Sequence, residues 1–275
     1  MGAMKQLQTG KAILAALAVA VAVALSGCAT PPPADDPEAV AEFQQTNDPL
    51  EPTNRVLYKV NTGIDTVLIR PVVKGYQLFV PEGVRSTVHG VLANLASPAT
   101  LANDMLQGKP RRAGDTLMRL LVNTTMGFGG IFDVASDMGY KEHGSDFGIT
   151  LALWGVDEGP FLFLPLLGPS NPRDFTGYAG EILLDPLTYI GKGSIVANFG
   201  YGRLALTVVD ATSRIQPDLD KALASALDPY ATYRSLYRQF RQGAIERARA
   251  DNRATVPNWF PKPAPVPEAA PAAAP

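Results

Sequence analysis

A single cysteine, Cys28, stands among 275 residues. No disulfide can form within the chain, and nothing beyond Cys28 can act as a thiol nucleophile. Imidazole is nearly as scarce. His89 and His143 are the two histidines, and neither neighbours a nucleophile pattern. His89 reads as a helix-surface residue. The Gly-x-Ser-x-Gly elbow of hydrolases is missing, and Ser170 sits in Gly168-Pro169-Ser170-Asn171-Pro172, with proline where an elbow needs a strand and a helix. Metal-ligand spacing of His, Glu or Asp is also missing. Asp146-Phe147-Gly148 matches a kinase tripeptide by letters, without the rest of the kinase set. Gly191-Lys192-Gly193-Ser194 lacks the spaced upstream glycine of a phosphate loop. These absences weigh against hydrolysis, nucleotide use and a metal cofactor. Excess positive charge is lacking too: 24 basic residues face 26 acidic ones, which gives no reason to invoke nucleic acid.

Long apolar runs are absent after Leu25. A bilayer span takes roughly 20 apolar residues, and the stretch Ala12 to Leu25 is itself too short. With Lys5 and Lys11 before it and small residues after it, that stretch reads as a secretory signal peptide. Its end, Leu25-Ser26-Gly27-Cys28, resembles the bacterial lipobox, in which the cysteine sulfur takes a diacylglyceryl group and the new amino terminus a further acyl chain. Two or more chains anchor stably where one is marginal, since each buried methylene adds about 0.8 kcal/mol. Ala29 follows where an Asp often marks retention at the inner membrane, so the resemblance favours the outer membrane. Four segments result: 1–27 as a cleaved signal, 28–47 as lipidated cysteine and Pro-rich tether, 48–256 as the body, and 257–275 as a disordered Pro/Ala tail. Losing Lys5 and Lys11 leaves 22 basic residues against 26 acidic ones, a net charge of about −4.

The body reads as mainly α, with short irregular or extended segments and disordered termini on either side. Leu57, Val60, Ile64, Val67 and Leu68 share one helical face, and Pro71 limits that helix. Pro81 opens the next, with Val84, Val88, Val91, Leu92 and Leu95 on its apolar face. Ser97-Pro98 signals another start with Ser97 as N-cap, and Gly108 a stop. A helix runs from about Arg111 to Met126, and two more from about Gly202 to Ile215 and Pro229 to Arg253. Phe161 to Leu164, boxed by Pro160 and Pro165, is limited to an edge strand or extended segment. Arg234, Arg238 and Arg241 share a helical face, followed by Arg247, Arg249 and Arg253, and this basic stretch reads either as solvated or as attracted to anionic headgroups or an acidic partner.

Two glycine-punctuated apolar segments stand out. Gly127, Phe128, Gly129, Gly130, Ile131, Phe132 and Val134 form one. Phe161, Leu162, Phe163, Leu164, Leu166 and Leu167 form the other. A soluble protein would bury both in a core. The alternative is that they face acyl chains, of the bilayer or of a bound lipid, with glycine permitting close backbone approach.

A series of short motifs runs in order over nearly the whole body. It begins Asp48-Pro49-Leu50-Glu51-Pro52-Thr53-Asn54-Arg55, Tyr58, Asn61 and Arg70-Pro71. Asn103-Asp104-Met105-Leu106-Gln107-Gly108, Asn123 and Gly127 to Ala135 follow, then Asp146-Phe147-Gly148-Ile149-Thr150-Leu151 and Gly155 to Pro160. Leu164-Pro165, Gly168-Pro169-Ser170, Arg173-Asp174, Asp228-Pro229-Tyr230 and Arg234 complete it. This series resembles the MlaA (VacJ) family of outer-membrane lipoproteins. The resemblance implies a ring-like assembly of amphipathic helices in the inner leaflet of the outer membrane. It implies an amphipathic channel that takes phospholipids misplaced in the outer leaflet and passes them to a soluble periplasmic carrier of the Mla system. It also implies association with a trimeric porin, and no catalysis. Apolar helix faces without a span agree with in-plane insertion. The candidates for lining the channel or facing lipid are then the two glycine-punctuated segments. The remaining alternative is a non-catalytic envelope scaffold.

Overall fold

The computed structural model describes Asp35, residues 48–189 and residues 194–251. The signal segment, Cys28, most of the tether and the Pro/Ala tail lie outside the described residues. Helices dominate: α1 (Glu51–Ile64), α2 (Arg70–Phe79), α3 (Glu82–Leu106), α4 (Pro110–Thr125), the short α5 (Val134–Asp137), α6 (Phe147–Leu153), α7 (Pro172–Leu184), α8 (Ser194–Ala224) and α9 (Pro229–Ala250). One antiparallel hairpin, β1 (Leu162–Leu164) with β2 (Gly168–Ser170), interrupts them, in the register Leu162 to Ser170, Phe163 to Pro169 and Leu164 to Gly168.

Two proline signals resolve differently from their local reading, and a third proline, Pro217, lies inside a helix. Pro71 does not end its helix. The chain passes from α1 through a π-helical turn, Asp65–Ile69, straight into α2, with Pro71 in the first turn of α2. A proline cannot donate to the carbonyl four residues back and crowds it. A widened π turn absorbs that conflict without breaking the axis. Pro98 does not start a helix either; it lies inside α3, and the hydroxyl of Ser97 donates to Ala93 O at 2.9 Å instead of capping. α3 packs along α4, so tertiary contact carries the helix through its proline. α8 likewise runs through Pro217 and is longer than its periodicity predicts. Gly108 does stop α3. Its φ is +65°, and Lys109 N donates to Asp104 O while Gly108 N donates to Met105 O, the paired bonds of a Schellman motif.

The hairpin is an edge, and α1 closes it. Asn54 Nδ2 donates to Phe161 O at 3.0 Å and its Oδ1 accepts from Phe163 N at 2.9 Å. One helical face further on, Asn61 Nδ2 donates to Leu164 O at 2.8 Å and its Oδ1 accepts from Leu166 N at 2.9 Å. Two asparagines seven residues apart thus satisfy backbone groups that would otherwise be orphaned.

Packing is divided among small clusters. Ile149 and Ala152 of α6 meet Ala244, Ile245 and Ala248 of α9. Val122, Ala135 and Tyr140 form a second cluster. Phe161 and Phe163 pack with Tyr58, Tyr230, Tyr233 and Tyr237, mostly edge to face. Among the described residues, buried polar and charged side chains outnumber buried apolar ones. α4 shows how. It buries Arg112, Asp115, Thr116, Arg119 and Asn123 together with Val122, and turns Leu117 and Leu121 outward. A fully buried Leu or Phe gains about 1.5–3 kcal/mol over one left in water. The chain leaves that gain unused over much of its surface.

Candidate functional site

A connected polar network runs between α3, α6 and α7. Asn103 Nδ2 of α3 donates to Glu181 Oε2 of α7 at 2.9 Å, and Asn103 Oδ1 accepts from Thr150 Oγ1 of α6 at 2.8 Å. Gln107 Nε2 donates to Thr150 Oγ1 at 3.0 Å and to Ser145 Oγ at 2.9 Å. Asp104, fully buried, accepts from Thr116 Oγ1 at 2.7 Å and contacts His143 Nε2 at 2.9 Å; these partners hold its carboxyl below the usual range although burial pushes the other way. Burial prevails at Glu181, whose carboxyl is raised.

Two cavities flank this network. One, of about 180 Å³, is lined by Asp146, Asp174, Gly177, Tyr178, Glu181, Tyr237 and Arg241. There Arg241 Nη1 donates to Asp146 Oδ2 at 2.6 Å, Arg241 Nη2 to Asp174 Oδ1 at 2.8 Å, and Tyr237 Oη to Asp174 Oδ2 at 2.5 Å. The other, of about 130 Å³, lies between α3 and α4 and carries Ser97, Thr100, Thr116, Arg119, Glu142 and His143. Among the described residues no group of three or more His, Cys, Asp or Glu is placed to hold a metal ion.

Arg234 and Arg241 join this interior, which corrects both sequence readings for these two, whereas Arg247 and Arg249 are exposed and Arg253 lies outside the described residues. Arg234 pairs with Asp48 at 2.8 Å and Arg241 with Asp146 and Asp174; both side chains are largely buried. Carboxylates far away in sequence neutralise them, so they are neither solvated nor free for headgroups. His89 is likewise half-buried, with Nδ1 2.7 Å from Asp210 of α8 and Nε2 3.1 Å from Glu142. Two carboxylate partners raise its pKa.

The two glycine-punctuated segments take different places. Gly127 and Gly130 are buried, whereas Phe128, Ile131 and Phe132 are exposed and Val134 is half-buried. The loop is seated by backbone contact. A Cβ at Gly130 would lie 2.5 Å from Gly90 O of α3, and Phe128, Gly129 and Gly130 all have positive φ. Asn123 and Asp133 fasten its far side: Asn123 Nδ2 donates to Asp133 Oδ1 at 2.9 Å, and Asn123 Oδ1 accepts from Ala135 N at 2.9 Å. The second segment divides. Phe161 and Phe163 point inward to the tyrosine cluster and present no surface to lipid, because strand alternation and the packing of α1 and α9 claim them. Leu162 and Leu164 are half-buried. Leu166 and Leu167, at the hairpin tip, are exposed.

Charges gathered inside and large apolar side chains turned outward define a class. This is a helix-built body whose surface suits lipid, and no described helix is long and apolar enough to cross a membrane. A family model described as MlaA lipoprotein matches residues 46–244. The chain is 35% identical over 236 residues to the intermembrane phospholipid transport system lipoprotein MlaA of Haemophilus influenzae, covering 83% of this chain and 88% of that protein. It is 30% identical over 230 residues to the protein of the same description from Escherichia coli, covering 82% and 86%. An uncharacterised protein of Rickettsia bellii is 33% identical over 208 residues, covering 74% and 78%. A solved structure reported under the words "Structural basis for maintenance of bacterial outer membrane lipid asymmetry" superposes with a TM-score of 0.64 at 29% identity, covering 72% of this chain and 98% of that one. The chain belongs to the MlaA lipoprotein family.

The family series contains Asn54, Asn61, Asn103, Asp146, Asp174 and Arg234 without naming the bonds they make, and Arg234 reads from sequence only as part of a solvated or headgroup-facing basic stretch. The partners that tie them to other elements lie far away in the chain; the caps, in which Ile149 N donates to Asp146 and Asp174 N to Asn171, are local. Arg241 and Glu181 were outside the series altogether.

Proposed function

We propose that this chain moves phospholipids between the membranes of a bacterial envelope as a lipid-anchored, non-enzymatic channel component. The body lies as a ring of helices in the inner leaflet of the outer membrane, on the periplasmic side. Acyl chains on Cys28 hold it there after cleavage of residues 1–27, with 28–47 as tether and 257–275 as a free tail. Phospholipids misplaced in the outer leaflet enter, headgroup along a polar path and tails along an apolar one, and pass to a soluble periplasmic carrier. A trimeric porin accompanies it in the membrane. Phe128, Ile131, Phe132, Leu166 and Leu167 are the side chains of the two glycine-punctuated segments that meet acyl chains.

The observation that carries this reading is the inverted body, polar within and apolar without. A headgroup needs hydrogen-bonding partners along its way, and an unpaired polar group in an apolar medium costs several kcal/mol. A hydrogen-bonded interior under an apolar surface meets both demands. The experiment is the outer-leaflet phospholipid content of a deletion strain, read by an acyl transfer to lipid A that draws only on that leaflet. A rise that wild type reverses and Cys28→Ala does not is the expected result. No rise in the deletion strain removes the transport reading and leaves an envelope scaffold.

A further inference from the structure

Ion pairing is the rule for arginine in this body. Arg55, Arg70, Arg112, Arg119, Arg173, Arg203, Arg214, Arg234 and Arg241 all meet carboxylates. Arg111, Arg247 and Arg249 have no carboxylate partner among the described residues, and all three are exposed. They gather at one corner. Lys109, just past the end of α3, donates from Nζ to Arg249 O at the end of α9 at 2.7 Å. Arg112 N lies 3.3 Å from Asp251 Oδ1. Trp154, closing α6, donates from Nε1 to Leu106 O at 3.0 Å. The C-terminal ends of α3, α6 and α9 therefore meet the start of α4.

Cations commonly offset the partial negative charge of helix C-termini, and Lys109 does so here. That account fails for Arg111, which sits in the first turn of α4, where the helix disfavours positive charge. The same corner carries exposed apolar side chains: Met105 is 67% exposed, Leu106 41% and Trp154 55%. Trp154 has its one donor satisfied by Leu106 O, and its ring meets Phe147 edge to face, with centroids 6.0 Å apart, while more than half of the residue stays exposed. A tryptophan beside exposed aliphatic side chains, with unpaired arginines around it, matches the boundary between headgroups and acyl chains in chemistry.

We propose that this corner, formed by Met105, Leu106, Trp154, Arg111, Arg247 and Arg249, is a docking surface for anionic phospholipid headgroups. The arginines meet the phosphates, and Trp154 with its aliphatic neighbours enters the outer edge of the acyl region. This sets the depth and rotation at which the body rests on its leaflet. The inference rests on the body lying in lipid and not on its moving lipid, so it and the transport reading fail in different assays.

Trp154 is its own reporter. The full lipidated chain carrying Trp259→Phe has Trp154 as its one tryptophan. It is placed in vesicles of phosphatidylcholine alone or mixed with phosphatidylglycerol, with bromine carried on the acyl chain near the headgroup. The Cys28 anchor holds the chain on both kinds of vesicle, so quenching reports the corner alone. The expected result is quenching that is stronger with phosphatidylglycerol and weakens in high salt. In the Arg111→Gln, Arg247→Gln, Arg249→Gln variant the docked-to-undocked ratio falls by on the order of a hundredfold, from about fivefold per cation, while helical circular dichroism is unchanged. Trp154 unquenched in both vesicles overturns the proposal and places the corner in water or against an acidic protein. Equal quenching in both, unaltered by the triple variant, overturns the headgroup role.

Discussion

Replacing Arg241 with methionine removes the charge but keeps a long side chain, and it strands two carboxylates differently. Asp174 is buried, with 7% of its side chain exposed, while Asp146 is 42% exposed and can rehydrate. Breaking a buried pair by removing one partner costs about 3–5 kcal/mol. The cost here falls at the lower end, about 3 kcal/mol, because Asp146 reaches water and Asp174 keeps Arg173 at 3.2 Å and the Tyr237 hydroxyl. For a body of this size each kcal/mol lowers the melting temperature by about 2–4 °C, so Arg241→Met should melt about 6–12 °C below wild type. The assay is thermal unfolding of the purified chain in detergent, followed by circular dichroism. Asp174→Asn in the same background supplies the decisive comparison. Neutralising the stranded carboxylate should restore most of the loss, giving a coupling energy of about 2 kcal/mol in the double-mutant cycle. Strictly additive losses, or an Arg241→Met chain that melts with wild type, would refute the claim that this ion pair ties α9 to α6 and α7.

Two further outcomes follow from other contacts. Gly90→Ala should lower the melting temperature even though alanine in a helix gains about 1 kcal/mol over glycine, because its Cβ would run into Gly130 O; a higher melting temperature would show that the 127–132 loop is not seated on α3. His89 binds its proton more tightly in the folded chain than in the unfolded one, so its contribution is full below about pH 6.5 and is lost as pH rises through its raised pKa. The melting temperature of wild type should therefore fall from neutral to alkaline pH more than that of His89→Gln, and parallel curves would exclude a role for the Asp210–His89–Glu142 tie.

Periodicity alone determined that the body is helical and roughly where most helices lie, since the apolar stripe of each helix repeats with the backbone whichever way it faces. Glycine chemistry marked the stop at Gly108, because a left-handed residue there is a local demand. Prolines flanking Phe161 to Leu164 marked an edge strand. What periodicity left open was which side of each stripe is inside. Leu117 and Leu121 repeat as a core face would, yet they point outward while Arg112, Asp115 and Arg119 point in. A stripe says only that two faces differ, and the sign of the difference depends on what lies beyond each face. The fates of Pro71 and Pro98 were also closed to local reading, because a π turn absorbed the first and packing of α3 along α4 carried the helix through the second. Tertiary structure alone joined Asn103 to Glu181, Arg241 to Asp146 and Asp174, and Asn54 to the edge of β1. Each of these bonds closes a long loop, and a sequence carries no mark of a partner that only folding brings within 3 Å.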